Sequence, residues 1–380
     1  MAEKKINNSG IRISQHIIWE QLTKIIVSNR LGNAYLFHGP PGSGKEYIAT
    51  KFAQMLNCDK EKGSICENCP SCKRCELLQH ENINLVFPLP VSKKNLLGNG
   101  DEFEKGITDN ITESIKKKSK DPFHKIQIPN ANRILIQSIR VLRRTLYLKA
   151  QNSGCKVVLV FDAHLLNSGQ GEAANAFLKI LEEPPSDTTI VLVTDYMELL
   201  LPTILSRCQK INFPKLDNKY LEDWCVTNKV KKAHVPLLIG LSGRDMHKVK
   251  ALRSQPLDKI MSSLSALVKV VSGENAEQWK NLIITYSRYS KQNKATFLFN
   301  FNMLKIWFQA ANRLSNNIKH ILHNTPLKDD MKIFIKKNPN ADFCSIIYEL
   351  EKPTLAIKKN FYMPLVLINL LLDIQKHFKR

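Results

Sequence analysis

The chain has no stretch suited to crossing a bilayer and no apolar leader. Its longest apolar runs, such as Pro364–Leu372, fall far short of the roughly 20 residues that a membrane-spanning helix needs. Residues Met1–Ile11 are polar and lysine-bearing, without the apolar centre of an export signal. Membrane and secreted classes are therefore set aside, and a cytoplasmic protein with no membrane partner is expected. Thiols stay reduced in that compartment, so the nine cysteines are read as free thiols or metal ligands rather than disulfides. No internal repeat is apparent.

Negative charge is also scarce. Asp and Glu number 34 against 56 Lys and Arg, a net charge of +22, and the pI is near 9.6. At this size such a balance favours nucleic acid over a neutral partner. The hydrophobic fraction of 43% is ordinary for globular proteins, and 380 residues are enough for two or three domains.

In the first half of the chain, strand patterns alternate with helix patterns. Ala34–Phe37, Val157–Val160 and Thr189–Val193 read as buried strands. Residues 46–57, Ile134–Leu148 and Gly171–Glu183 read as helices, the last halted by Pro184 and Pro185. That alternation predicts a parallel α/β sheet. From about residue 215 the pattern is helical only, with a break at Ser272-Gly273. Residues 91–125 are rich in Lys, Asp, Glu, Gly and Asn, and read as an inserted, mobile surface loop; the alternative is an arm that touches DNA or a partner.

Gly39-Pro40-Pro41-Gly42-Ser43-Gly44-Lys45 follows a strand and opens a helix, the context of a Walker A phosphate loop. Its backbone N–H groups would close around phosphates at a helix N-terminus, with Lys45 reaching the outer phosphates. What is missing is the chemistry beside it. A Ser or Thr hydroxyl should ligate Mg²⁺ at the next position, but residue 46 is Glu. A Walker B strand should end in an Asp for the metal and a Glu for the attacking water, but the strand Val157–Val160 runs into Phe161 and Asp162. Two independent losses predict a vestigial loop that does not hydrolyse ATP and leave ATP binding in doubt. An active ATPase using Glu46 and Asp162 for metal is the competing possibility.

Cys58, Cys66, Cys69, Cys72 and Cys75 lie within eighteen residues. Four thiolates at about 2.3 Å from the metal make a closed, structural zinc site. Cys58, Cys69, Cys72 and Cys75 are the expected ligands, with Cys66 able to replace Cys69 on spacing alone. Cys155, Cys208, Cys225 and Cys344 are scattered and read as small apolar residues.

Arg30-Leu31, Ala34–Phe37 with the loop that follows, Leu56-Asn57-Cys58 with the cysteine cluster, Ala173–Pro185 and Thr203-Ile204-Leu205-Ser206-Arg207-Cys208 together resemble the AAA+ clamp-loader subunits of bacterial DNA polymerase III. The likeness covers residues 15–214 apart from the insertion, and Asn360–Ile374 is similar to the last collar helix. It departs at Asn33, where the family often has His, and at Gly243–His247, where no sensor residue aligns. The family contains ATP-hydrolysing γ/τ subunits and a δ′ type that does not hydrolyse but keeps a zinc knuckle and the Ser-Arg-Cys motif. Glu46, Phe161 and a length without room for a long tail point to the δ′ type. The resemblance implies an AAA+ domain over 1–214 with a zinc knuckle at 58–75, a helical lid over 215–272 and an all-α collar over 273–380. It further implies a hetero-oligomeric ring with γ/τ and δ subunits that loads a sliding clamp onto primer-template DNA, Arg207 acting in trans on a neighbour's ATP. A stand-alone DNA-binding AAA+ switch is the reading from another class.

Overall fold

A computed structural model describes residues 10–60, 63–91, 105–147, 154–254, 256–318, 322, 325, 327–358 and 361–378. The chain divides into two compact units. One holds residues up to Tyr220 together with Asp245–His247, the other Leu221–Arg244 and everything from Lys248.

The first unit is built on a parallel sheet of five strands among the described residues. In chain order these are β1 Ala34–His38, β2 Ile83–Val86, β3 Lys156–Val160, β4 Thr188–Thr194 and β5 Gln209–Asn212, arranged β2-β3-β4-β1-β5. Parallel strands covered on both faces need apolar residues in both directions of the pleat, and all seven residues of β4 are buried. The register aligns Leu36 with Leu192 and Val191 with Leu159. The strand ends that follow His38, Val160 and Thr194 therefore emerge side by side at one edge of the sheet. Covering helices are α1 His16–Val27, α2 Lys45–Leu56, α3 Pro70–Glu76, α4 Lys105–Lys120, α5 Ile136–Tyr147, α6 Glu172–Glu182 and the short α7 Pro202–Leu205. Ile139, Leu142 and Leu146 of α5 and Phe177, Ile180 and Leu181 of α6 join Leu36, Val158, Val160, Ile190 and Leu192 in one core.

The expected mobile loop over 91–125 is corrected in its described part. Residues 105–120 form α4. Along it Ile107, Ile111 and Ile115 are half-buried while Ser114 and Lys118 are buried, a 3–4 residue spacing that makes one inward stripe. Beyond it Phe123, Ile126 and Ile128 are buried. Residues 92–104 lie outside the described part.

The second unit is helical among its described residues: α8 Asn218–Thr227 at the boundary, α9 Val235–Ser242, α10 Met246–Arg253, α11 Leu257–Ser272, α12 Ala276–Gln292, α13 Lys294–Ser315, α14 Leu327–Lys337, α15 Phe343–Glu349, α16 Lys352–Lys358 and α17 Met363–Phe378. Its core is aromatic. Phe297 and Phe301 stack with ring centroids 4.4 Å apart, and Trp307 meets Phe334 edge-on at 5.0 Å. Phe297, Phe301, Trp307 and Phe308 are buried, which suits packing and leaves them no face for a nucleic-acid base; Phe299 is half-buried. The break at Ser272-Gly273 ends α11. Its last carbonyls need donor partners, and Gln375 of α17 and Trp279 of α12 donate to the Gly273 carbonyl at 3.0 and 2.9 Å.

No helix among the described residues is long and apolar enough to cross a membrane.

Candidate functional site: a closed phosphate loop and a thiol cluster

The loop Gly39–Gly44 leaves the end of β1 and delivers Lys45 as the first residue of α2. Gly42 has φ +68° and lies hard against the Asp245-Met246 backbone; a Cβ there would come within 2.4 Å of the Met246 nitrogen. Only glycine tolerates both the conformation and the approach. Gly39, at φ +141°, is pressed equally closely against the Phe213 carbonyl. The segment that carries the unaligned sensor region thus packs directly on the loop through Asp245, whose carboxylate accepts from the His247 N–H at 3.0 Å. Arg244, the cation of that turn, is exposed.

Lys45 is 4% exposed and turned into its own loop. It donates to the carbonyls of Gly39 at 2.9 Å and Pro40 at 2.6 Å and to the Ser43 hydroxyl at 3.2 Å. Its ion-pair partner is Asp195, one residue past β4, at 2.7 Å. Burial pushes Lys45 below the usual lysine range against the pull of that carboxylate. Burial alone would raise Asp195, but Lys125 and Lys45 outweigh it and hold the carboxyl below the usual range. Lys125 reaches Asp195 at 2.8 Å and Asp162 at 3.0 Å. Burial opposes its charge, and Asp162, Glu46 and Asp195 together hold it above the ordinary lysine range. Asp162 adopts φ +48°, a left-handed conformation uncommon for a residue with a side chain.

Glu46 and Phe161, the two departures from the expected motifs, both meet one lysine. Glu46 pairs with Lys118 of α4, and Phe161 lies under the same ammonium at 5.0 Å. Thr194, the last residue of β4, is buried. It accepts from the Tyr196 N–H at 3.0 Å and meets His164 Nδ1 at 3.1 Å. Neither Lys118, Lys125 nor Asp195 was singled out by sequence reasoning. The signal for Lys118 was its place on the Ile107/Ile111/Ser114 stripe of α4.

Arg207 follows α7 at the surface, its side chain 37% exposed. It pairs with Glu182 at 2.7 Å and donates to the Thr203 carbonyl at 3.0 Å. Cys208 beside it is buried, which lifts its thiol to about 11.

The thiol cluster is Cys58, Cys66, Cys69 and Cys72, whose sulfurs all lie within 4.8 Å of one another. This group differs from the expected set. Cys66 and Cys69 both belong, and Cys75 does not. The reason is helical. Cys69 is the N-cap of α3 and accepts from the Cys72 N–H at 3.2 Å, and Cys66 accepts from the Cys69 N–H at 3.4 Å. The sulfurs gather at the helix start, while Cys75 is a turn further on, about 4.5 Å along the axis. Burial lifts the Cys75 thiol to about 12, whereas the amides of Asn68 and Cys69 hold Cys66 at about 6. Four thiolates around Zn²⁺ at about 2.3 Å would sit about 3.8 Å apart, and Cys66 and Cys72 are 3.9 Å apart. The donor set fits a tetrahedral soft-metal site.

Comparison with known proteins agrees with this architecture. The family model described as "DNA polymerase III, delta subunit" matches residues 14–217. The chain is 28% identical over 255 residues to the DNA polymerase III subunit delta' of Bacillus subtilis, covering 67% of this chain and 63% of that protein. It is 30% identical over 279 residues to the subunit delta' of Pseudomonas aeruginosa, covering 70% and 71%. Against the subunit tau of Bacillus subtilis it is 27% identical over 207 residues, 54% of this chain and 29% of that one. The chain thus spans under two thirds of the Bacillus subtilis relatives' lengths. With the family model covering more than half of its residues, the chain belongs to the DNA polymerase III delta subunit family.

Proposed function

We propose that the chain is a δ′-type subunit of a DNA polymerase III clamp loader that does not hydrolyse ATP and lends Arg207 to the ATP site of a neighbouring γ/τ subunit. The observation that carries this reading is the state of the phosphate loop. Lys45 is spent on its own loop and on Asp195, and both metal-binding positions, Glu46 and Phe161, are engaged by Lys118. Hydrolysis needs a metal bridging the phosphates and a residue orienting water, and Glu46, Phe161 and Asp162 are each engaged by a lysine instead.

Arg207 supports the second half. A guanidinium at the surface can stabilise charge on a transferring phosphoryl group across an interface. Its ion pair with Glu182 is exposed and costs little to exchange. The partners in this reading are γ/τ and δ subunits in a ring, the sliding clamp and primer-template DNA. Within it the helical unit divides into a lid over 215–272 and a collar over 273–380. Zinc is held by Cys58, Cys66, Cys69 and Cys72 and supplies folding energy to the knuckle rather than chemistry, since all four positions come from protein.

The test is ATP turnover by the purified chain, with and without Mg²⁺. The expected result is no turnover above background in either condition. Mg²⁺-dependent hydrolysis would instead favour a γ/τ-like subunit that uses Glu46 and Asp162 for the metal.

A further inference from the structure

Six charged side chains close the phosphate-loop end of the sheet, and they balance. Lys45, Lys118 and Lys125 face Glu46, Asp162 and Asp195, three against three. Lys118 joins Glu46, while Lys45, Asp195, Lys125 and Asp162 form a chain with contacts of 2.7, 2.8 and 3.0 Å. Two of the three lysines come from one stretch, α4 and the eight residues after it. That stretch is fixed by its own bonds. Lys118 donates to the His124 carbonyl at 2.8 Å, the Asp121 carboxylate accepts from the Phe123 N–H at 3.0 Å, and Phe123 is buried against Tyr220 and His247, at centroid distances of 6.5 and 6.3 Å.

The placement of Lys118 carries the argument. Positions 46 and 161 are where a divalent cation would be gripped in a working loop. Both carry side chains unfit for a metal clamp, and both suit an ammonium, one as counter-charge and the other as an aromatic face. The Lys118 side chain is 3% exposed. Taking an ammonium out of water is expensive unless it is paired and hydrogen-bonded, and here it has a carboxylate, a carbonyl and a ring.

We propose that residues 105–128 are a built-in replacement for metal and nucleotide, with Lys118 standing where the cation would and Lys125 tying the ends of β3 and β4 together. The loop end of the sheet is then held shut without a ligand. This deepens the non-hydrolysing reading above; it depends on Gly39–Lys45 being a phosphate loop and not on the role of Arg207.

The exchange of hydroxyl for Glu at 46 and the arrival of Lys118 are therefore coupled, and a double-mutant cycle measures the coupling. The full chain is compared with Glu46→Thr, Lys118→Met and the double variant by thermal unfolding, with and without Mg·ADP. Each single variant strands a charge, on Lys118 at 3% or Glu46 at 15% side-chain exposure, and is expected to lower the unfolding midpoint by at least about 5 °C. The double variant is expected to recover most of that loss, and Mg·ADP to leave the unmodified midpoint unchanged. If a single variant yields no folded protein, folded double variant is the same positive result, and failure of the double as well is the negative one. Additive losses would overturn the proposal. So would a rise in the unmodified chain's midpoint with Mg·ADP; if the chain still shows no ATP turnover, the non-hydrolysing reading survives that outcome.

Discussion

Asp195 is the residue on which the charged cluster turns, since its two oxygens hold Lys45 and Lys125 on opposite sides. It is 9% exposed, so replacing it by Asn leaves the ammonium groups of Lys45, 4% exposed, and Lys125, 21% exposed, each one partner short. Asp195→Asn should destabilise the first unit by about 3–5 kcal/mol, read by urea denaturation; a change under about 1 kcal/mol would mean that the cluster is a surface network. The cluster also shapes the pH response. Burial pushes His164 below the usual imidazole range, with Asp162 pulling upward and Lys125 pushing down. His38 is lowered by burial and then by Lys210 and Lys45. A group that binds its proton less readily when folded contributes stability above its unfolded pKa, and that stability is lost as pH falls toward the folded value. Through these two imidazoles the unfolding midpoint should therefore fall as the pH drops from about 6.5 downward. Asp195 adds a further loss at more acid pH, because its depressed carboxyl must be protonated. A midpoint that rises on acidification to pH 5.5 would contradict these environments. Sequence could point to Lys45, Glu46 and Phe161 because their positions relative to a glycine loop and a strand are fixed. It could not point to Asp195 or Lys125, whose meaning comes only from neighbouring strand ends.

At the scale of elements, α4 and the knuckle show where reading a sequence by composition fails. Lys116-Lys117-Lys118 looks like a solvated charge run. In the helix Lys116 and Lys117 do face water, but Lys118 falls on the inner stripe with Ile107, Ile111 and Ser114. Periodicity, not charge, held the information. The five cysteines are ambiguous in a similar way, because spacing alone does not say where α3 begins. Once Cys69 caps the helix, Cys66 is drawn in and Cys75 is carried away. Metal analysis tests this directly. Cys66→Ser should lose the zinc and Cys75→Ser should keep about one per chain; the reverse pattern would restore the ligand set expected from spacing. Loss of metal should unfold the knuckle locally, since structural zinc contributes on the order of 10 kcal/mol to such folds. In the helical unit, Gln375→Ala removes the donor to the Val271 carbonyl and leaves Gly273 with Trp279 alone, and should cost about 1–3 kcal/mol, measured by denaturation of the full chain.

For the whole molecule, the alternation of strands and helices to about residue 214 and the helical remainder were legible because a buried parallel sheet demands apolar runs and helices demand a 3.6-residue stripe. The strands β2 and β5 were not, being only four residues each and partly exposed. On the proposed reading, a sheet unit whose loop lysine is bound to its own loop and to Asp195, together with an exposed arginine, suits a subunit that acts on a neighbour. The measurement that reaches this claim most directly is steady-state ATPase of a clamp-loader ring reconstituted with γ/τ, δ and either the unmodified chain or Arg207→Ala, with clamp and primed DNA present. The account predicts intact assembly and lowered turnover, by less than the about 10³–10⁵ that a sole arginine finger can give, because the other sites keep theirs. Arg207→Lys should not restore it fully, for lack of the planar fork. Unchanged turnover and clamp loading with Arg207→Ala would show that this arginine is a surface residue paired to Glu182 and nothing more.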